Sequence, residues 1–350
     1  MGGLQLLAGS TAIKTITEQG INQADFGVML AASGGPKWLA VAGLDKYLFS
    51  EFFKERQTPL DTLGTSSGAW RLACFAQQQP LAAYQRFQQA YIEQRYEVKP
   101  KPQQVSDNVA TILSYILGTE LGRDIVSHPY INSQFIACRA KGLNRSQSPI
   151  LLSTGLAVTG LSNLLSRGSL ATYFERFLFS TKKISSAFSL TDLPTQHISL
   201  TEANIADVLR ASGSIPLLMA PVKQISGAPA GVYYDGGITD YHFDLALPES
   251  KGMVIYPHFN QYISPGWFDK SLPWRRARAN YHNALVLAPS AEFVARLPYG
   301  KIPDRSDFAK MDTETRINNW NQVSSLSEHL ADEFNELLHQ QDFGAKLVPI

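Results

Sequence analysis

"LDTLGTSSGAWRLACFA", residues 60–76, decides how the chain is read. A short run of strand length, "LDTLG", precedes a stretch with the small and apolar content of a buried helix. Between them lies the pentapeptide Gly64-Thr65-Ser66-Ser67-Gly68. A strand, a Gly-x-Ser-x-Gly turn and a helix set the serine on a sharp, strained corner at the strand's carboxyl end. The helix that follows points its N-terminal N–H groups at the serine and favours negative charge developing there. The same letters also serve an ordinary tight turn, since Gly and Ser are turn formers. Whether Ser66 is a nucleophile depends on whether the chain supplies something to take its proton.

Outward from this corner the chain alternates between two patterns. "FGVMLAA" (26–32), "PILLST" (149–154), "GVYYD" (231–235), "GMVIYP" (252–257) and "ALVLAP" (284–289) read as buried strands bounded by turn residues, as in parallel sheets covered on both faces. "KWLAVAGLDKYLFSEFF" (37–53) and "PLAAYQRFQQAYIEQRY" (80–96) read as helices, the second opened by a helix-compatible proline. The alternation predicts a three-layer α/β/α fold with a mostly parallel central sheet. "EVKPKPQQVSDN" (97–108) reads as a loop, 103–147 as a helical insertion, and 313–343 as a helical tail. No repeat or low-complexity segment divides the 350 residues, so one domain over 1–350 is expected.

Composition excludes several function classes. Net charge is +1, which leaves no electrostatic footprint for nucleic acid. Charged residues are 17% of the chain, well under the roughly 25% of an average soluble protein, which suits a two-sided buried sheet or apolar partners. Cys74 and Cys138 are too few for a disulfide framework or a zinc site and read as buried free thiols in a reducing, cytoplasmic setting. No charged region precedes the first apolar residues, and no run reaches the ~18 apolar residues of a spanning helix. No cluster has metal-ligand spacing, so neither metal nor cofactor is expected. The oligomeric state is left open.

Three further stretches bear on the proton question. In "AASGGPKW" (31–38), Gly34 and Gly35 sit at a strand-to-helix turn and can present consecutive N–H groups to an oxyanion or a phosphate; a turn that needs glycine torsions has the same letters. Neither a Gly-x-Gly-x-x-Gly fingerprint nor a Gly-Lys-Ser/Thr phosphate loop is present there. In "YYDGGITD" (233–240), Asp235 ends a strand-like run and Gly236-Gly237 turns the chain, placing a carboxylate at the sheet edge or merely stabilising the turn. "RASGSIPLLMAPV" (210–222) reads as a helix end feeding a pocket wall.

"SGGPKW", "GTSSG", "ASGSIP" and "DGG", in that order, resemble the patatin-like phospholipase family over residues 25–240. The resemblance implies a lipid acyl hydrolase acting on lipid or ester substrates without a metal. It implies a Ser66–Asp235 dyad, with Ser66 attacking the ester carbonyl and Asp235 taking its proton directly. A free aspartate, with a pKa of ~3.9, is a poor base near neutral pH, so burial must raise it. Gly34 and Gly35 would hold the tetrahedral oxyanion, at ~3 kcal/mol for a good donor. Lys37 keeps the basic position of the family's glycine loop, Ser67 and Gly236 flank the two proposed catalytic residues, and Trp70 is expected in packing. The chain departs from the family loop in lacking its leading acidic residue and two glycines, and Trp38 stands where glycine is usual.

Two other readings compete. His242, His258 and His282 follow Asp235, so a Ser–His–Asp hydrolase order can be drawn. A non-catalytic lipid or anion binder would need the same loops. "PGWFDKSLPWRRARANYH" (265–282) mixes tryptophans with Arg275, Arg276 and Arg278. It suits peripheral contact with an anionic membrane, or simply a loop and a solvated helix start.

Overall fold

The computed structural model describes residues 2–96, 100–182, 188, 190–246, 251–344 and 346–350. The strands are β1 (Leu4–Ala8), β2 (Phe26–Ala31), β3 (Leu60–Gly64), β4 (Ile131–Ala140), β5 (Phe174–Ser180), β6 (Thr195–Ser199), β7 (Tyr233–Asp235), β8 (Met253–Pro257), β9 (Ala284–Pro289) and β10 (Leu347–Pro349). They form one sheet in the order β10-β1-β9-β8-β2-β3-β4-β5-β6, with β7 pairing β4 off that path. The centre, β9-β8-β2-β3-β4, is parallel throughout. Antiparallel pairs occur where β1 meets β9, β5 meets β4 and β7 meets β4.

Successive residues of β2 enter opposite cores. Met29 and Ala31 pack into the larger one with Trp38, Leu44, Leu72 and Phe87. Val28 and Leu30 pack into the other with Leu63, Val254 and Val286. This is the period-2 alternation of a strand buried on both faces. Helices therefore flank a mostly parallel sheet, as the alternation predicts. The tail forms two helices, Thr313–Leu326 and Glu328–Gln340, whose Trp320, Leu330 and Phe334 close the larger core.

Four local expectations are corrected. "PILLST" opens a helix, Pro149–Leu165, rather than a strand; the apolar run is long and Pro149 is tolerated in a first helical turn. The stretch 103–147 is not a helical insertion: after the helix Pro102–Leu117 it supplies β4, an interior strand of the sheet. "INSQFIACRA" hid this strand because its polar residues break the apolar pattern, and they are partly met inside, as where Asn132 Nδ2 donates to Asp61 Oδ1 at 3.0 Å. The loop 97–108 gives way to helix from Pro102 onward, and its residues 97–99 lie outside the described residues. "GVYYD" is a buried strand, but antiparallel to its neighbour.

Candidate active site

The parallel register lifts the site above the carboxyl ends of β2 and β3, where α/β proteins place their ligands. Ala31 pairs with Gly64, and Gly64 with Phe135 on β4. Two residues further along β4, Ala137 faces Asp235 of the antiparallel β7. Ser66 and Asp235, 169 residues apart, thus reach the same level. Ser66 Oγ donates to Asp235 Oδ2 at 2.7 Å, with both residues buried.

Ser66 sits on the corner the pentapeptide implied, at φ 53° and ψ −129°, a region costly for a non-glycine residue and associated with functional strain. Gly68 makes the corner possible: a Cβ there would stand 2.0 Å from the carbonyl oxygen of Ala31. The corner is tied to its neighbours. Ser66 N–H donates to Ser212 Oγ at 3.0 Å, and Asp235 N–H to the Ser214 carbonyl at 2.8 Å. Ser33 Oγ lies 2.8 Å from Thr65 Oγ1, which donates to the Asp240 carbonyl at 2.8 Å. Asp240 is gripped by the buried Arg176 of β5 through two bonds of 2.7 and 2.9 Å. Glycine loop, serine corner and Asp-Gly-Gly turn are therefore one hydrogen-bonded unit, which favours preorganisation.

Burial pushes the Asp235 carboxyl above its ordinary value. The Ser66 hydrogen bond, the Arg305 charge, the Gly237 N–H and the Lys270 charge pull the other way. Asp235 Oδ1 accepts from Gly237 N–H at 2.7 Å, which fixes the carboxylate plane. Gly236 begins this turn and packs beside β4.

The other predicted residues are placed unequally. Gly35, at φ 57°, lines the same cavity as Ser66 and Ser67. Gly34 packs against the Phe259 ring. Among the described residues, neither glycine N–H has a hydrogen-bond acceptor. Ser67 Oγ is buried without a partner among them. Lys37 is not brought to the cavity: its Nζ lies 5.5 Å from the Phe259 ring centre, and burial lowers its pKa. Trp70 packs against Phe87 and Tyr91, and its indole N–H donates to the Leu209 carbonyl at 2.9 Å. It also forms part of the cavity wall.

The histidines do not join Ser66 and Asp235. His282 precedes the amino-terminal end of β9, which runs parallel to β8 and β2, so it lies at the end of the sheet away from Ser66. His242 and His258 meet edge to face beside Phe259, the ring next to Gly34, with ring centres 4.3 Å apart. Each accepts at Nδ1 from a backbone N–H, of Ser264 and Asn260 respectively. Desolvation pushes His258 down to about 3 and His242 well below its usual value, so both rings are neutral.

Sequence reasoning missed Arg305 and Lys270. Arg305 lines both the Ser66 cavity and the adjoining crevice that holds Asp235. A Cβ on Gly35 would stand 2.9 Å from its Nε. Lys270 Nζ lies 4.9 Å from the Tyr241 ring centre, and burial brings its pKa down to about 8. Neither belongs to a motif, and only tertiary folding brings them here. The Ser66 cavity holds about 680 Å³ and is walled by Trp70, Tyr91, Val105, Leu218, Met219 and Phe308 among others. That size and lining suit an apolar ligand.

Fold and corner together define a three-layer α/β protein with a strained serine elbow at its sheet edge. The patatin-like phospholipase family matches residues 49–242, more than half of the chain, and the protein belongs to that family, a family of lipid acyl hydrolases. The match holds the serine corner, the Ser212–Pro216 block and the Asp-Gly-Gly turn; the glycine loop precedes it. Among solved structures, VipD from Legionella pneumophila is similar, with 12% identity over 87% of this chain and 67% of that one and a TM-score of 0.34. No curated protein matches. No helix among the described residues is long and apolar enough to cross a membrane.

Proposed function

We propose that the protein hydrolyses carboxylic esters of lipids through a Ser66–Asp235 dyad. The observation that carries this reading is the 2.7 Å hydrogen bond from a strained serine to a buried aspartate, at the mouth of an apolar cavity. Ser66 Oγ attacks the ester carbonyl carbon as Asp235 accepts its proton. The oxyanion lies at the free N–H groups of the Gly34–Gly35 turn. Collapse breaks the ester bond, and the leaving alcohol takes the proton from Asp235. Asp235 then deprotonates a water that attacks the acyl-enzyme, releasing the fatty acid and restoring Ser66. The acyl chain lies along Trp70, Met219 and Phe308, and Arg305 meets an anionic group of the alcohol portion.

A fluorophosphonate probe tests this reading directly. The expected result is one covalent adduct on the peptide that contains Ser66. A folded wild type that takes no label under several detergent conditions would instead be a lipid or anion binder.

Two substitutions separate the roles. Measured above the acid limb of the pH profile, Arg305→Ala is expected to raise KM about tenfold or more for an ester with an anionic headgroup, the loss of a charge-assisted hydrogen bond, and to leave a neutral ester little changed. Equal losses on both esters would remove Arg305 from headgroup recognition. The pH profile follows from Asp235. Catalysis needs the carboxylate, so kcat/KM falls as pH drops through its raised pKa, above the ordinary 3.8. Lys270 stabilises that carboxylate, so Lys270→Met moves the acid limb to higher pH. A limb that stays in place or moves down contradicts Asp235 as the base.

A further inference from the structure

The helix Pro149–Leu165 has 17 residues and no charged one. One arc, with Leu152, Leu156 and Thr159, is buried against β4, β5 and β7. The opposite arc carries Ile150, Leu151, Val158, Leu161, Leu164 and Leu165, all exposed, with Ile150 at 78% and Leu165 at 89%. At about 100° per residue these six fall within roughly 140°, shared only with Thr154 and Ala157. A surface helix ordinarily turns charge to the solvent. This one leaves a contiguous apolar patch, which marks an interaction site.

The patch has a basic border. Arg275 Nη2 donates to the carbonyls of Asn163 and Leu164 at 2.9 and 3.4 Å, seating the segment 273–278 against the helix end. Trp274, 71% exposed, stands beside it. Arg276 donates to Ser264 Oγ and the Lys270 carbonyl. These acceptors are neutral, so neither guanidinium is offset by a carboxylate among the described residues, and Arg278 is exposed next to them. Residues 149–165 and 273–278 contain no Asp or Glu. The patch is also continuous with the site. Phe268 packs beside Gly160, and Trp267 lines the Asp235 crevice. Pro216 lines that crevice too, and it is followed by the exposed Leu217 and Leu218.

We propose that this helix face, with Trp274 and the arginines that follow it, docks the protein on a bilayer containing anionic lipids. The inference rests on the acyl-hydrolase reading for its purpose, since it brings the cavity mouth to its substrate. An apolar arc at the acyl boundary, an interfacial tryptophan and arginines on phosphates fit such a surface. A second copy of the chain fits less well. A two-fold contact would set the arginines against their own counterparts, with no acid on the patch to meet them.

The test uses the Ser66→Ala protein, so that vesicles stay intact, in co-sedimentation with phosphatidylcholine vesicles with and without phosphatidylglycerol. Binding that is stronger to the anionic vesicles is expected, with a blue shift of tryptophan emission that Trp274→Phe removes. Leu161→Glu/Leu165→Glu should weaken binding at least about tenfold. Arg276→Glu/Arg278→Glu should abolish the preference for phosphatidylglycerol. Both leucines are exposed, and an unchanged melting curve verifies the fold. Absent wild-type binding, or binding that the leucine variant leaves intact, overturns the proposal. So does a concentration-dependent dimer in sedimentation velocity that the leucine variant dissociates while vesicle binding persists. With Ser66 restored, the leucine variant should keep full turnover of a soluble short-chain ester and lose turnover of vesicle lipid. A wild type inert on both substrates but bound to vesicles would sink the catalytic reading and leave the docking surface standing.

Discussion

Ser66→Ala and Asp235→Asn are each expected to lower kcat on a lipid ester by at least ~10³-fold, with the folded structure retained. Ser66→Ala removes the atom that forms the acyl-enzyme. Asp235→Asn keeps the shape of the side chain but cannot take a proton. The two groups act as one unit through the 2.7 Å hydrogen bond, so the double variant should be little worse than either single one. His242→Ala and His258→Ala are a sharp contrast. Both rings are buried, neutral and hydrogen-bonded to backbone N–H groups away from Ser66. They are expected to cost stability and to leave kcat on soluble ester within a few-fold. Steady-state kinetics with probe labelling at Ser66 decides. Asp235→Asn labelled at the wild-type rate, or a histidine variant as inert as Ser66→Ala, would discard the dyad.

Much of this arrangement is legible in the sequence because it is local. β2, β8 and β9 are buried on both faces, so they appear as near-continuous apolar runs between turn residues. The serine corner and the Asp-Gly-Gly turn carry letters whose order along the chain has meaning. β4 was hidden because Asn132, Ser133, Gln134 and Arg139 interrupt its pattern, although it is the strand that sets Asp235 level with Ser66. Pro149–Leu165 was misread for the opposite reason. Its apolar residues continue onto the solvent side, so no amphipathic period separates a helix from a strand. Arg305 and Lys270 could not be found at all. Arg305 has no spacing that marks it, Lys270 lies in the 265–282 stretch read for membrane contact, and the approach of both to Asp235 is produced by the fold. The polar ties Ser33–Thr65 and Ser66–Ser212 join motifs whose identities were readable but whose contacts were not.

The other large effect lies beneath the site. Asp45→Ala is expected to destabilise the protein by about 3–5 kcal/mol, the cost of leaving a buried charge without its partner. Asp45, on the helix Ala42–Tyr47 that continues from the glycine loop, and Arg71, on the helix Ser67–Phe75 that begins at the serine corner, are both fully buried. Arg71 Nε and Nη2 each donate to the Asp45 carboxylate at 2.6 Å, and Tyr84 O–H donates to it at 2.6 Å. Without Asp45 the guanidinium keeps, among the described residues, only the Pro257 carbonyl at 3.4 Å. Asp45→Leu/Arg71→Met should recover most of the loss, since an apolar pair of similar volume avoids the desolvation penalty. Tyr84→Phe should cost less, about 1.5–3 kcal/mol for a hydrogen bond to a charged group. The pair also spans the two helices whose starts hold the glycine loop and Ser66. The double variant is therefore expected to recover its urea midpoint but to turn over soluble ester more slowly than wild type, with kcat rather than KM affected. Wild-type kcat in that variant would make the ion pair a matter of stability alone. An Asp45→Ala protein as stable as wild type would mean that Arg71 finds other partners or reaches solvent.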